Sequence, residues 1–195
     1  SYMARIEGAR LRFLSAHSAF ERFQTARTIF DQRREWSTFL SELSATFNQV
    51  LRATKQHGKA SAWAGRKKAE RKDDPLLQYL AQARHSENHA IGQSAADTLR
   101  LSVKLNHGGP DVAVQAGALV MRGPFHTHSA KASQGISLID VLNEGKWYPP
   151  PKSHLGQPLG DSEDWFRGTD PIVVGGLGLR WFEGLIAEAE EMLTK

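Results

Sequence analysis

Apolar residues in the first part of the chain recur every three or four positions, the spacing of an amphipathic helix. One series covers residues 6–30 and a second covers residues 36–51. Neither glycine nor proline interrupts residues 19–56. The pattern therefore predicts long helices and leaves open whether they are two helices or one bent helix.

Two further helices are predicted from their first residues. In both Asp74-Pro75 and Asp170-Pro171 an aspartate precedes a proline. The aspartate suits the N-cap, and the proline suits the first helical position, where no N–H is needed. We expect the first of these helices to end near Gly92 or to continue to Thr98, and the second to close the chain.

Between these helices the apolar period changes from 3.6 to 2. Residues 99–105 and 112–116 alternate between apolar and polar side chains on either side of a glycine-containing turn, which predicts a β-hairpin. Residues 122–169 are rich in Gly, Pro, Ser and His, which predicts long loops with one short element at 136–142.

The predicted fold class is mainly α, a helical bundle of long amphipathic helices with an inserted β-hairpin and long loops. We expect a single domain over residues 3–195. Its helical core would span residues 3–98, the insertion residues 99–169, and the C-terminal helix residues 171–194.

The composition is that of a globular domain, with 195 residues, 40% hydrophobic and 24% charged, and a mean hydropathy of -0.45. No window approaches the roughly 18 uninterrupted apolar residues of a membrane helix. Residues 4–13 are too charged for a signal peptide. The absence of cysteine excludes disulfides and thiolate metal ligands. We therefore predict a soluble cytoplasmic protein that does not enter a membrane.

The net charge is only +4, but cations concentrate in residues 55–72. Such a cluster attracts phosphate backbones through counterion release, and Trp63 within it is a candidate for stacking on a base. The alternative interpretation is a solvated linker. The candidate nucleic-acid-binding residues are Lys59, Arg66, Lys67, Lys68, Arg71 and Lys72.

The most distinctive chemistry lies in the run Arg84-His85-Ser86-Glu87-Asn88-His89. A guanidinium can hold a scissile phosphate, and an imidazole can remove the proton from the ribose 2′-hydroxyl that attacks it. The same Arg-to-His spacing occurs from Arg12 and from Arg52, but an apolar residue follows each of those arginines. The chemistry predicted for Arg84 and His89 requires no metal and no cofactor.

This run, on a helix that follows two longer ones, resembles the R-polar-xxx-H signature of the HEPN superfamily (higher eukaryotes and prokaryotes nucleotide-binding domains). The resemblance covers residues 30–94 and the closing helix. Residues 74–92 are also similar to a DPLLQYL…AR…HG run in bacterial proteins of unassigned function, which implies no activity.

Resemblance to HEPN ribonucleases implies a homodimer in which two copies of the motif form one RNA-cleaving site. Arg84 would bind phosphate, His89 would be the acid/base, and His85 the supporting polar residue. It further implies metal-independent cleavage that leaves a cyclic phosphate, a role as toxin or defence effector, and an antitoxin-like protein partner. The inserted hairpin and loops depart from the all-helical HEPN pattern, and many HEPN domains are not catalytic.

Two alternatives follow from the same residues. Arg84 and His89 could serve an interface in a non-catalytic nucleic-acid-binding or assembly module. His126 and His128, two positions apart in an extended segment, could instead bind a metal in a hydrolase, with His107, Asp140 and His154 as companions. No HExxH, phosphate-loop or GxSxG motif supports another class, and the glycines at 175–178 are interpreted as close packing or a helix start.

Overall fold

The computed structural model describes residues 2–88, 95–105, 112–114, 127–160 and 167–194. Helices account for most of these residues, so the predicted mainly α class is confirmed. The helices are α1 (Tyr2–Thr25), α2 (Ile29–Thr54), α3 (Gly58–Asp73), α4 (Pro75–Asn88) and α5 (Pro171–Thr194).

The first two predicted helices are separate and pack against each other. The chain leaves helical geometry at residues 26–28, where Thr28 is extended and its hydroxyl caps α2 by accepting the N–H of Asp31 at 3.0 Å. Ile29 and Phe30, which end the first apolar series, therefore belong to α2. The core between α1 and α2 is aromatic, with the Phe20 and Phe39 ring centroids 5.2 Å apart.

The basic segment forms helix α3, so its interpretation as a linker is wrong. Two tryptophan–glutamate hydrogen bonds fix α3 to α5. The Trp63 indole donates to Glu188 at 2.9 Å, and the Trp181 indole donates to Glu70 at 2.7 Å. Helix α3 has few apolar residues and therefore no clear apolar period, although Ala, Lys, Arg and Glu favour a helix. The pairing with α5 adds tertiary stabilisation.

Both predicted helix starts are confirmed. Asp74 accepts the Leu77 N–H at 3.0 Å at the start of α4, and Asp170 accepts the Ile172 N–H at 2.9 Å at the start of α5. The extension of α4 to Thr98 is wrong, because a strand begins at Ala95.

Helix α5 closes the core by approaching its neighbours at glycines. A Cβ on Gly175 would lie 2.4 Å from Phe20 Cε2, and one on Gly178 would lie 2.7 Å from Leu80 Cδ1. The interpretation of these glycines as close packing is therefore confirmed, and their effect is to bring α5 against α1 and α4.

The inserted sheet is antiparallel, with strand order β2-β1-β3, and its Leu101 pairs with Val114 on one side and Ala132 on the other. The predicted hairpin is thereby confirmed, but the prediction of loops over residues 127–138 is wrong. The strands are β1 (Ala95–Leu105), β2 (Val112–Val114) and β3 (Thr127–Leu138).

Two small hairpins also lie where loops were predicted. Their turns, Glu144-Gly145 and Leu155-Gly156, have positive φ at both positions, as in type I′ turns. Such turns favour Asn-Gly or Asp-Gly, and neither pair occurs at these positions, so the hairpins were not predicted. The strands are β4 (Val141–Asn143), β5 (Lys146–Tyr148), β6 (Ser153–His154) and β7 (Gln157–Pro158).

Candidate nucleic-acid interface

A groove of about 490 Å³ opens between α2, α3, α4 and β5. Its cations come from α3 and β5, a histidine comes from α4, and no carboxylate lines it among the described residues. Such a surface suits an anion. The lining residues are Phe47, Asn48, Leu51, Lys68, Arg71, Lys72, Gln78, Ala81, Gln82, His85, Lys146 and Tyr148.

Arg71 is a partly buried cation of the groove that packs on an aromatic ring. Its guanidinium lies over the Phe47 ring, 4.3 Å from the centroid. Burial, and secondarily the neighbouring charge of Arg84, lowers the pKa of Arg71 to about 10. The group therefore remains charged at neutral pH, but in an environment that disfavours the charge.

The six predicted nucleic-acid-binding residues divide between different faces of α3. Lys68, Arg71 and Lys72 line the groove. Lys59 and Arg66 are exposed but do not line it, and their spacing of seven residues places them together on another face.

Lys67 takes part in holding α3 to α5 rather than in the groove. Its ammonium lies 3.1 Å from Glu188 and 3.5 Å from Glu70. Trp63, bonded to the same Glu188, is 4% exposed. The prediction that Trp63 stacks on a base is therefore wrong, because its ring is in the core.

Helix α4 brings part of the predicted catalytic run to the groove. His85 is exposed and lines it. Arg84 is half-buried, about 100° around the helix from His85, and close enough to Arg71 to act on its pKa. His89 lies outside the described residues. Arg84 does not line the groove, although its charge acts on Arg71. The convergence of Arg84 and His89 stays a prediction.

Two groove residues on β5 were missed from the sequence. Lys146 lies over the Tyr148 ring, 5.0 Å from its centroid. The Glu144-Gly145 turn pairs β5 with β4, which packs on α4. Asn143 of β4 also donates a hydrogen bond to Gln82 of α4 at 2.7 Å, which holds this hairpin against α4. The available signal was a lysine beside two aromatic residues, a composition common in nucleic-acid sites.

The residues of the alternative metal site are not brought together in the described part. His107 and His126 lie outside the described residues, as does the side chain of His128. His154 bonds instead to Asp74, with Nδ1 2.9 Å from Oδ2. Among the side chains that are described, no group of three or more metal-ligating residues exists.

None of the described helices is both long enough and apolar enough to cross a membrane. Comparisons with protein-family models, with curated proteins and with solved structures found no match to this chain. The function of the groove therefore has to follow from its own geometry.

Proposed function

We propose that this protein binds RNA in the groove between α3, α4 and β5 and cleaves it with the Arg84-to-His89 run of α4. The supporting observation is that the basic helix α3 and the motif-bearing helix α4 both contribute side chains to one groove. Lys68, Arg71 and Lys72 reach it from α3, and His85 reaches it from α4.

Binding would combine charge with stacking. The cations replace counterions condensed on the RNA backbone, which makes the affinity dependent on salt. Tyr148, a half-buried ring at the groove, offers a platform for an unpaired base. Single-stranded RNA presents both groups together and also has the 2′-hydroxyl that the proposed cleavage requires, which single-stranded DNA lacks.

Cleavage would proceed by in-line attack within the RNA. Arg84 holds the scissile phosphate while one imidazole removes the proton of the 2′-hydroxyl, whose oxygen then bonds to phosphorus. The bond from phosphorus to the 5′-oxygen breaks, and that oxygen takes a proton from a second imidazole. The products are a 2′,3′-cyclic phosphate and a 5′-hydroxyl. His89 and its copy in a second chain would be these two imidazoles, as the HEPN resemblance implies, with His85 as the supporting polar group.

Binding can be tested with two charge-matched double variants of α3. Lys68→Gln with Lys72→Gln should weaken binding of a fluorescent single-stranded RNA at least about tenfold and lower the salt slope by about 1 to 2. Lys59→Gln with Arg66→Gln removes the same charge from the other face and should have a much smaller effect. Equal losses in both variants would show that net charge, rather than this groove, binds RNA.

Cleavage can be tested separately from binding. The parent protein should cut RNA in excess EDTA and leave cyclic phosphate ends, and His89→Ala should abolish cutting while the circular dichroism spectrum is unchanged. Cleavage retained in His89→Ala would reject the catalytic assignment. RNA binding without any cleavage by the parent would instead establish the non-catalytic binding module.

An antitoxin-like protein partner, if this is a toxin, would have to neutralise the same surface. The chemistry predicts an acidic segment that competes with RNA for Lys68, Lys72 and Lys146. Such a partner should lose affinity in Lys68→Gln with Lys72→Gln but not in Lys59→Gln with Arg66→Gln, as measured by calorimetry.

A further inference from the structure

A second cavity, of about 560 Å³, lies between the β6–β7 hairpin and the first half of α5. Its walls are largely apolar, with Leu159, Val173 and Leu177 among them, and its polar groups include Arg167, Arg180 and His154. It has no lining residue in common with the groove between α2, α3, α4 and β5. The cavity is therefore a distinct candidate site.

The imidazole of His154 is held in one orientation by Asp74. Asp74 Oδ2 lies 2.9 Å from His154 Nδ1, while Oδ1 accepts the Leu155 N–H at 2.6 Å. An ionised carboxylate only accepts hydrogen bonds, so Nδ1 carries the proton and donates it. The remaining nitrogen, Nε2, is then the one available to a ligand.

Asp74 is itself fixed, because it also caps α4 through the Leu77 N–H. The side chains of Asp74 and His154 are 5% and 10% exposed. A buried carboxylate that orients a histidine at a cavity wall is an arrangement found where an imidazole contacts a substrate or ligand. Helix capping accounts for Asp74 but does not require a histidine at position 154.

We propose that this cavity binds a small organic anion, with its phosphate or carboxylate group between Arg167, Arg180 and His154 and its apolar body against α5. Both arginines are exposed, and neither forms an ion pair with another residue among those whose side chains are described. Two guanidinium groups and an imidazole match the oxygen atoms of such an anion. The wall of valine and leucine matches an aromatic or aliphatic body rather than a free inorganic ion.

The proposal can be tested with phenyl phosphate and benzoate as probes of the two anion types. Calorimetry on the full chain should show binding of at least one probe with a dissociation constant of about 1 mM or tighter. Phenyl phosphate binding alone would identify a phosphate site, and benzoate binding alone a carboxylate site. The resonance of His154 Nε2 should shift with the same titration. Absence of binding of both probes at about 10 mM would overturn the proposal.

Variants of the cavity wall test whether the probes bind there, and they leave the buried Asp74–His154 pair unchanged. Arg167→Gln with Arg180→Gln should weaken binding about tenfold or more. Gly176→Phe should block the cavity, since a Cβ on Gly176 meets no atom within 4 Å and the ring would project into the space. The groove variant Lys68→Gln with Lys72→Gln is the control and should bind the probe normally. Unchanged binding in both cavity variants would overturn the proposal.

Discussion

At the scale of single residues, Arg71 shows how a binding surface can oppose folding. Its pKa is lowered to about 10, first by burial and then by Arg84. Because the folded-state pKa is below that of an exposed arginine, protonation of this group disfavours folding. The destabilisation is complete at neutral pH and is relieved only as pH rises above about 10. A bound phosphate would offset it by supplying the missing negative charge.

Replacing Arg71 should therefore separate stability from binding. Arg71→Met keeps an aliphatic contact with Phe47 but removes the charge, and we expect the free energy of unfolding in urea to be unchanged or raised by about 1 kcal/mol. The RNA affinity should fall at least about tenfold. Arg66→Met, at an exposed position, is the control for both measurements. A clear loss of stability in Arg71→Met would contradict the view that its charge is disfavoured.

A second residue-scale prediction concerns Asp74, which accepts hydrogen bonds from Leu77, Leu155 and His154. Asp74→Ala removes a helix cap and leaves buried donors unsatisfied, so we expect a loss of about 2 to 4 kcal/mol in the free energy of unfolding. Asp170→Ala removes a more exposed cap and should cost about 1 kcal/mol. Equal losses in urea denaturation would show that capping alone explains Asp74.

At the scale of elements, α5 depends on two glycines at which neighbouring helices approach its backbone closely. Gly175→Ala places a methyl group against the Phe20 ring, and we expect it to lower the free energy of unfolding by about 1 to 3 kcal/mol. Gly184→Ala, on the same helix, meets no atom within 4 Å and should raise it by about 0.5 to 1 kcal/mol through helix propensity. Thermal unfolding of the two variants measures this contrast, and a stabilised Gly175→Ala would refute the close approach.

Some of the helices and strands could be predicted from the sequence and others could not. Apolar period and aspartate–proline starts located α2, α4 and α5, because these signals are local. Helix α3 was missed since its stability comes from Trp63 and Trp181 bonding to glutamates far away in the chain. Strand β3 was missed because its pairing with β1 is long-range and its composition resembles a loop.

The candidate site could be predicted only in part, because its residues are far apart in the sequence. The basic cluster and the Arg84 run were each visible as local patterns, and the groove brings Lys68, Arg71 and Lys72 of the first together with His85 of the second. Sequence spacing did not show that Lys67 faces α5 while Lys68 faces the groove. Neither did it reveal Lys146 and Tyr148, which reach the groove because the Glu144-Gly145 turn reverses the chain beside α4.

At the scale of the whole molecule, the proposed chemistry needs two chains. If each active site combines motifs from both partners, the cleavage rate per chain should fall when the protein is diluted below its dimer dissociation constant. Native mass spectrometry at the same concentrations should show the dimer fraction falling in parallel. A rate per chain that stays constant while dimers disappear would assign the complete site to a single chain.

The placement of the indoles gives this protein an internal optical reporter. Trp63 and Trp181 are shielded by the packing of α3 on α5, whereas Trp147 is 62% exposed between the groove residues Lys146 and Tyr148. Among the tryptophans that the structure describes, acrylamide should therefore quench Trp147 first. Side chains alternate along a strand, and Trp147 does not line the groove, so RNA bound in the groove should leave this quenching unchanged. Trp147→Phe should remove the readily quenched part of the emission that comes from the described tryptophans, so that Trp63 and Trp181 report separation of α3 from α5 on unfolding.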